Sequence, residues 1–126
     1  MKPQVSVILP TYNRRQLLPR AVDSVLEQVD VLWQLIIIDD GSTDETPEYL
    51  RNLSHEHPNI FIISVDHRGQ SACRNIGLLH AEADIVSYLD SDDEYKPDHL
   101  AQRWRYLQSH PDVDVLHGGV EIAGPP

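Results

Sequence analysis

Apolar runs and polar breaks alternate along this chain with two different periods. Val5-Ser6-Val7-Ile8-Leu9, Leu35-Ile36-Ile37-Ile38, Ile60-Phe61-Ile62-Ile63-Ser64-Val65 and Ile85-Val86-Ser87-Tyr88-Leu89 are short and nearly continuous in their hydrophobicity, as expected of strands covered on both faces. Between them apolar residues recur every three or four positions, as on one face of a helix. Arg15 to Gln28 carries Leu18, Val22, Val25 and Leu26, with Val29 continuing the stripe and Pro19 near the first turn, where its missing N–H costs little. Ser42-Thr43-Asp44-Glu45 reads as a capping box that opens a helix to about His55, with Tyr49, Leu50 and Leu53 inward. Gln70 to Ala81 places Cys73, Ile76, Gly77 and Leu79 or His80 toward a buried side. Pro97 opens a helix through about Ser109, with Leu100, Trp104 and Leu107 inward. Val113 to His117 predicts a fifth strand, and Gly118 to Pro126 a strand-like stretch that stops abruptly.

Strand and helix thus alternate four times before a closing strand. The pattern predicts an α/β fold of three layers, α/β/α, around a mostly parallel sheet with right-handed crossovers. At 126 residues the chain fits one domain. In open α/β sheets ligands bind outside the carboxyl ends of the strands. The four ends here are Thr11 to Arg14, Asp39-Asp40, Asp66-His67-Arg68-Gly69 and Asp90-Ser91-Asp92-Asp93, all polar and all expected at one edge.

The last of these ends is the most specific. Four carboxylates fall within five residues, Asp90 to Glu94, and hard divalent cations such as Mg²⁺ or Mn²⁺ take oxygen ligands. If the extended backbone continues past Leu89, Asp90 and Asp92 point to one side and can share an ion. A solvated turn is an equally good reading of the cluster by itself, because Asp and Ser favour turns without any metal. Neither common phosphate cradle is present: no Gly-x-Gly-x-x-Gly follows the first strand, and no Gly-x-x-x-x-Gly-Lys-Ser/Thr occurs. Thr11, Tyr12, Asn13 and Arg14 offer instead a hydroxyl, an amide, a guanidinium and an aromatic face that could stack on a base.

Composition narrows the partners. The net charge of -10 argues against binding nucleic acid or anionic membrane by bulk electrostatics. A phosphate ester would therefore need a bound cation or a focused basic site. The single cysteine, Cys73, allows no intrachain disulfide and reads as a small core residue. With 40% hydrophobic residues, no leader-like N-terminus and no apolar run near the ~18 residues that span a bilayer, the expectation is a cytoplasmic globular domain with no transmembrane segment. His55 and His57 lack the spacing of a zinc motif and read as surface residues. Trp33 and Trp104 read as packing residues.

Four motifs in register carry a resemblance over nearly the whole chain. Val5 to Arg14, Ile38-Asp39-Asp40-Gly41-Ser42-Thr43-Asp44-Glu45-Thr46, Gly69-Gln70-Ser71-Ala72-Cys73-Arg74-Asn75-Ile76-Gly77 and Leu89-Asp90-Ser91-Asp92-Asp93 resemble, in order and spacing, the nucleotide-sugar-binding half of family 2 glycosyltransferases with the GT-A fold. The resemblance implies that Asp40, with Asp39, binds the base, that Thr11, Tyr12, Asn13 and Arg14 line the nucleotide pocket, and that Arg74 meets the nucleotide or its phosphates. It makes Asp90-Ser91-Asp92 the family's Asp-x-Asp, with Asp90 near the ribose or donor sugar and Asp92 on Mg²⁺ or Mn²⁺. Asp93 then orients that pair or binds the sugar.

The implied activity is inverting transfer of a sugar, from a UDP-sugar or similar donor, to a saccharide or lipid-linked acceptor, in cell-wall or polysaccharide biosynthesis. The family's acceptor base lies beyond its Asp-x-Asp. Residues 1 to 126 therefore read as a single donor-binding domain cut before the acceptor-binding part, with no catalytic base assigned. Missing parts could bring it to the inner face of the membrane, and a homo-oligomer stays open. A non-catalytic nucleotide-sugar-binding fragment is the alternative. A sugar nucleotidyltransferase fits less well, since Pro10 to Arg14 is not the Gly-rich basic loop it would want.

Overall fold

Seven consecutive buried residues, Val5–Thr11, form the first strand, β1. A strand with no exposed alternation has both faces covered, and the sheet around it supplies the cover. In the computed structural model, which describes residues 2–116, β1 is followed by α1 (Leu18–Leu26), β2 (Trp33–Asp39), α2 (Thr46–Glu56), β3 (Ile60–Ser64), α3 (Gln70–His80), β4 (Ile85–Tyr88) and α4 (His99–Ser109). The strands pair in the order β3-β2-β1-β4. Every pairing is parallel, with Val5 to Thr11 beside Trp33 to Asp39 on one side and Val5 to Ile8 beside Ile85 to Tyr88 on the other.

Alternate residues of the strands face two separate cores. Val5, Val7, Leu9, Leu35 and Ile37 pack with Leu18, Val22 and Val25 of α1, Leu50 and Leu53 of α2 and Leu100 of α4. On the other face Ile8, Ile36 and Ile38 meet Cys73 of α3. The expected three layers are thus formed, with α3 alone covering the second face among the described residues. On that face the buried Ser6 hydroxyl donates to Gln34 Oε1 at 2.6 Å. The two side chains then accept the Ala83 and Glu82 N–H groups, which fixes the entry to β4.

The strand order positions the site. The chain steps outward from β1 to β2 to β3, then α3 carries it back to the opposite flank of β1. Between β1 and β4 the direction of winding reverses, and in such sheets the ligand crevice opens at that point. Thr11 to Arg14 and Asp90 to Asp93 leave the sheet on its two sides.

Gly77 is what lets α3 lie close. A Cβ built there would stand 2.6 Å from Ile8 Cγ2 and 2.9 Å from Ile38 Cδ1. Gly77→Ala gains helix propensity of about 1 kcal/mol, but overpacking a buried contact costs about 1–3 kcal/mol. Ile8 Cγ2 sits on a buried central strand and has little room to move. The expected result is a net loss of about 1 kcal/mol in a urea melt; a variant as stable as the parent would show that the helix shifts freely.

Several elements differ from the sequence expectation. The first helix starts at Leu18 and stops at Leu26, so Val29 leaves the buried stripe and is 47% exposed; its N–H is held by the Pro97 carbonyl. The Ser42–Glu45 capping box does not form, because Ser42 Oγ accepts the Asn13 N–H and α2 begins only at Thr46, whose N–H is taken by Asp44 Oδ1. On α3 the buried stripe narrows to Cys73 and Gly77, leaving Leu79 and His80 outside. No strand forms over residues 113–116: Val113 N–H turns back to His110 O, and Val115 is 70% exposed, so the acidic, alternating run buries no residue fully. His117, Glu121 and the stretch Gly118 to Pro126 lie outside the described residues.

Candidate functional site

The Leu89 N–H still reaches Ile8 O, and the chain then turns. Asp93 N–H closes on Asp90 O at 3.0 Å, so the extended backbone that would pair Asp90 with Asp92 alone does not persist. The turn brings in a third carboxylate. Asp90, Asp92 and Asp93 each offer an oxygen within 4.8 Å of the other two, while Ser91 between them in sequence is buried.

Three carboxylates this close repel one another. Burial and then the charges of Asp92 and Asp90 push the Asp93 carboxyl up, with Arg20 pulling the other way. An all-oxygen set strained by like charge suits a hard divalent cation, which would relieve the repulsion. The residues present therefore fit such a group.

Helix α3 reaches the same turn. Asp90 Oδ1 accepts from Gln70 Nε2 at 2.9 Å and from Arg74 Nη2 at 3.0 Å. Arg74 also lies over the Tyr88 ring, 5.5 Å from its centroid. Arg74 thus reaches the acidic turn from its helix, as an ion pair with Asp90.

The loops after β1 and β2 are latched together. Asp40 N–H bonds Thr11 O, and Asn13, with a left-handed φ of 50°, accepts the Thr43 and Asp44 N–H groups on Oδ1. The Asn13 side-chain oxygen is committed to this latch. Thr11 is buried, and its hydroxyl has no hydrogen-bond partner among the described residues. Arg14 is exposed, its carbonyl accepting the first N–H groups of α1. An open cleft of about 560 Å³, lined by Asn13, Arg14, Arg15, Asp44 and Glu45 among others, lies between these loops.

Asp39 and Asp40 each hold a different loop through backbone N–H groups. Asp39 is buried and takes the Ser42 N–H on Oδ1 at 3.1 Å, shaping the turn. Asp40, 5% exposed, takes the Arg68 N–H on Oδ1 at 2.7 Å and the Gly69 N–H on Oδ2 at 3.0 Å, and His67 Nδ1 lies 3.1 Å from Oδ2. Burial raises the Asp40 carboxyl, but the two backbone N–H groups, the Cys73 thiol and His67 outweigh it and hold its pKa below the ordinary carboxylate value. The Cys73 thiol answers in the opposite sense. Burial, with the hydrogen bond to Asp40 and its charge, pushes it up to about 11, so this cysteine is a poor nucleophile. Gly41 permits the approach of the two loops: with φ of 78°, a Cβ there would lie 2.9 Å from His67 N.

Three participants carried no assigned role in the sequence, although Gln70 lies within the Gly69 to Gly77 motif. His67 stacks on the half-exposed Tyr12, ring centroids 4.2 Å apart and tilted by 36°. Gln70 and Arg20 both reach the acidic turn. Only the position of Asp66-His67-Arg68-Gly69 at a strand end hinted at the first. Among the described residues no helix is long and apolar enough to cross a membrane.

A parallel sheet whose switch point carries an acidic turn, flanked by an aromatic pair and an arginine, is an α/β domain with its polar loops gathered at the strand ends, where ligands bind in such sheets. The chain belongs to glycosyl transferase family 2, whose model matches residues 6–124. It is 37% identical over 107 residues to TuaG of Bacillus subtilis (strain 168), a glycosyltransferase named for teichuronic acid biosynthesis, covering 84% of this chain and 42% of TuaG. S. aureus TarS 1-349, solved in complex with UDP-GlcNAc, superposes with a TM-score of 0.78 at 27% identity, over 88% of this chain and 32% of that one. The mannosyltransferase PcManGT from Pyrobaculum calidifontis, solved with GDP-Man and Mn²⁺, gives 0.73 at 32% identity, over 85% of this chain and 33% of that one. The architecture is the expected GT-A fold, and the chain spans well under half the length of these relatives.

Proposed function

We propose that this chain is the donor-binding part of an inverting glycosyltransferase, taking a nucleoside-diphosphate sugar, a UDP-sugar first, with Mg²⁺ or Mn²⁺. The observation that carries the reading is the convergence of Asp90, Asp92 and Asp93 at the switch point between β1 and β4. The complexes of TarS with UDP-GlcNAc and of PcManGT with GDP-Man and Mn²⁺ support it.

Each part of the site has a task in this reading. Asp92 and Asp93 supply oxygens to the cation, and Asp90, steadied by Gln70 and Arg74, does the same with its second oxygen or meets the donor's ribose or sugar. When bound, the cation neutralises charge that develops on the diphosphate as it leaves. Arg74 adds a cation on the same side. The Tyr12–His67 pair presents an aromatic surface of the kind on which a base stacks. Thr11, Arg14 and Asp39 belong to the neighbouring strand-end segments and would meet the nucleotide there, and Asp40 holds the loop that carries His67. The acceptor would be a hydroxyl of a saccharide or lipid-linked sugar, which needs a general base to lose its proton; no described carboxylate is assigned that role.

Calorimetric titration with UDP tests the reading. Micromolar binding with Mn²⁺, weakened at least about 10-fold in EDTA, is the expected result, with GDP weaker than UDP. Binding by folded protein that is absent, or indifferent to metal, would overturn it.

A further inference from the structure

We propose that Arg20 of α1 is a positioning residue that keeps the acidic turn in its cation-ready shape. The inference rests on reading Asp90, Asp92 and Asp93 as a cation site. Its starting observation is a single contact: Arg20 Nη2 donates to the main-chain carbonyl of Asp92 at 2.6 Å. A guanidinium on a carbonyl is a charge-assisted bond, shorter and stronger than a neutral one. It fixes the plane of the peptide between Asp92 and Asp93, and with it the directions in which both side chains leave the backbone.

The rest of the segment shows why that grip is needed. Its start is tied to the sheet through Leu89 N–H on Ile8 O, and its interior by the Asp93 N–H to Asp90 O bond. Its far end is tied to the residues that follow α1: Gln28 Nε2 donates to Lys96 O at 2.6 Å, and Val29 N–H to Pro97 O. Leu100 N–H in turn donates to Gln28 Oε1. Between these two anchors the carboxylates of Asp92 and Asp93 push apart. Among the described residues, Arg20 is the side chain that bonds the backbone of the ligand residues from outside the turn.

Two physical effects oppose each other here. The positive charge of Arg20 beside the cluster repels an incoming cation, which would make the arginine a hindrance. Its hydrogen bond, and its attraction for the carboxylates, keep three like charges converged before the cation arrives. Arg20 is exposed, so solvent screens its long-range repulsion, whereas the bond to Asp92 O acts at contact. Positioning should therefore win, and the sign of the effect on metal affinity is the discriminating quantity.

The experiment is a Mn²⁺ titration of the full chain followed by electron paramagnetic resonance, in the absence and presence of UDP, for the parent, Arg20→Gln and Arg20→Lys. The expected result is a loss of Mn²⁺ affinity of about 10-fold in Arg20→Gln, as for other groups that orient metal ligands, with broadened bound-Mn²⁺ lines. Arg20→Lys, which keeps a charged donor, should recover part of it. Melting in EDTA should be nearly unchanged for both, which separates positioning from global stability. Unchanged or tighter Mn²⁺ binding in Arg20→Gln overturns the proposal, and so does a Lys variant no better than Gln. Should Arg20→Gln fail to fold, Arg20→Lys with parental affinity and line shape sustains the proposal, and Arg20→Lys with the affinity lost overturns it. If the parent itself binds no Mn²⁺, the cation site falls, and the role of Arg20 falls with it.

Discussion

Replacing Asp92 by Ala abolishes the metal-dependent part of UDP binding, weakening it on the order of 100-fold in the presence of Mn²⁺, and leaves the fold intact. The Asp92 side chain is exposed and its carboxylate bonds no other described residue. What the structure uses of Asp92 is the main-chain carbonyl held by Arg20, which alanine retains. Removing the carboxylate also removes one of the charges that push up the Asp93 carboxyl, so in EDTA the variant should melt at the parent temperature or slightly above it. Calorimetry with UDP and Mn²⁺ reads the first effect and thermal melting the second. A variant that binds UDP in EDTA as the parent does, but no longer responds to Mn²⁺, is the expected combination. If Asp92→Ala unfolds the domain instead, Asp92 is structural and the cation site is misassigned.

The same cluster shows where sequence reading reaches its limit. Apolar continuity identified β1 to β4, and the polar strand ends identified the site edge, because a parallel sheet leaves its loop chemistry on one side. The pairing order β3-β2-β1-β4 is not written in any local pattern, yet it is what sets the acidic turn beside Thr11 to Arg14. At Asp90 to Asp93 the residue types pointed to a cation, but the geometry did not follow: the backbone turns, with Asp93 N–H on Asp90 O, and three carboxylates gather where an extended chain would pair two. Asn13 and Asp39 each commit a side-chain oxygen to backbone N–H groups. Sequence shows that a side chain can bind a ligand, but not whether the fold has already used it. The failed fifth strand is the converse case. Val113 and Val115 have strand propensity, but propensity is realised only where a partner edge and a covering layer exist.

Asp40 is the sharpest instance of a residue with two claims on it, and Asp40→Ala is expected to be the most destabilising change in the site. The resemblance assigns its carboxylate to the base; in the structure both oxygens are already engaged, with the Arg68 and Gly69 N–H groups and His67. Alanine would strand two N–H groups at the start of α3, each losing a charge-assisted partner. Hydrogen bonds to charged groups contribute about 1.5–3 kcal/mol each, and partial access to water returns some of that. A loss of about 2–4 kcal/mol is expected in a urea melt, with Asp40→Asn, which keeps one acceptor oxygen, losing roughly half as much. The effect carries a pH signature. Because the folded pKa of Asp40 lies below its unfolded value, the stabilisation is fully present above about pH 4 and is lost as pH falls through the folded pKa. The parent should therefore lose stability more steeply than Asp40→Ala as acid is added below that point, the two curves converging. Parallel curves, or a variant within about 0.5 kcal/mol of the parent at neutral pH, would mean that the loop holds itself and that the carboxylate is kept for the nucleotide alone. The structural role predicts instead that UDP binding by the folded fraction of Asp40→Asn falls with the order of the His67–Gly69 loop, since the Tyr12–His67 stack depends on the same carboxylate.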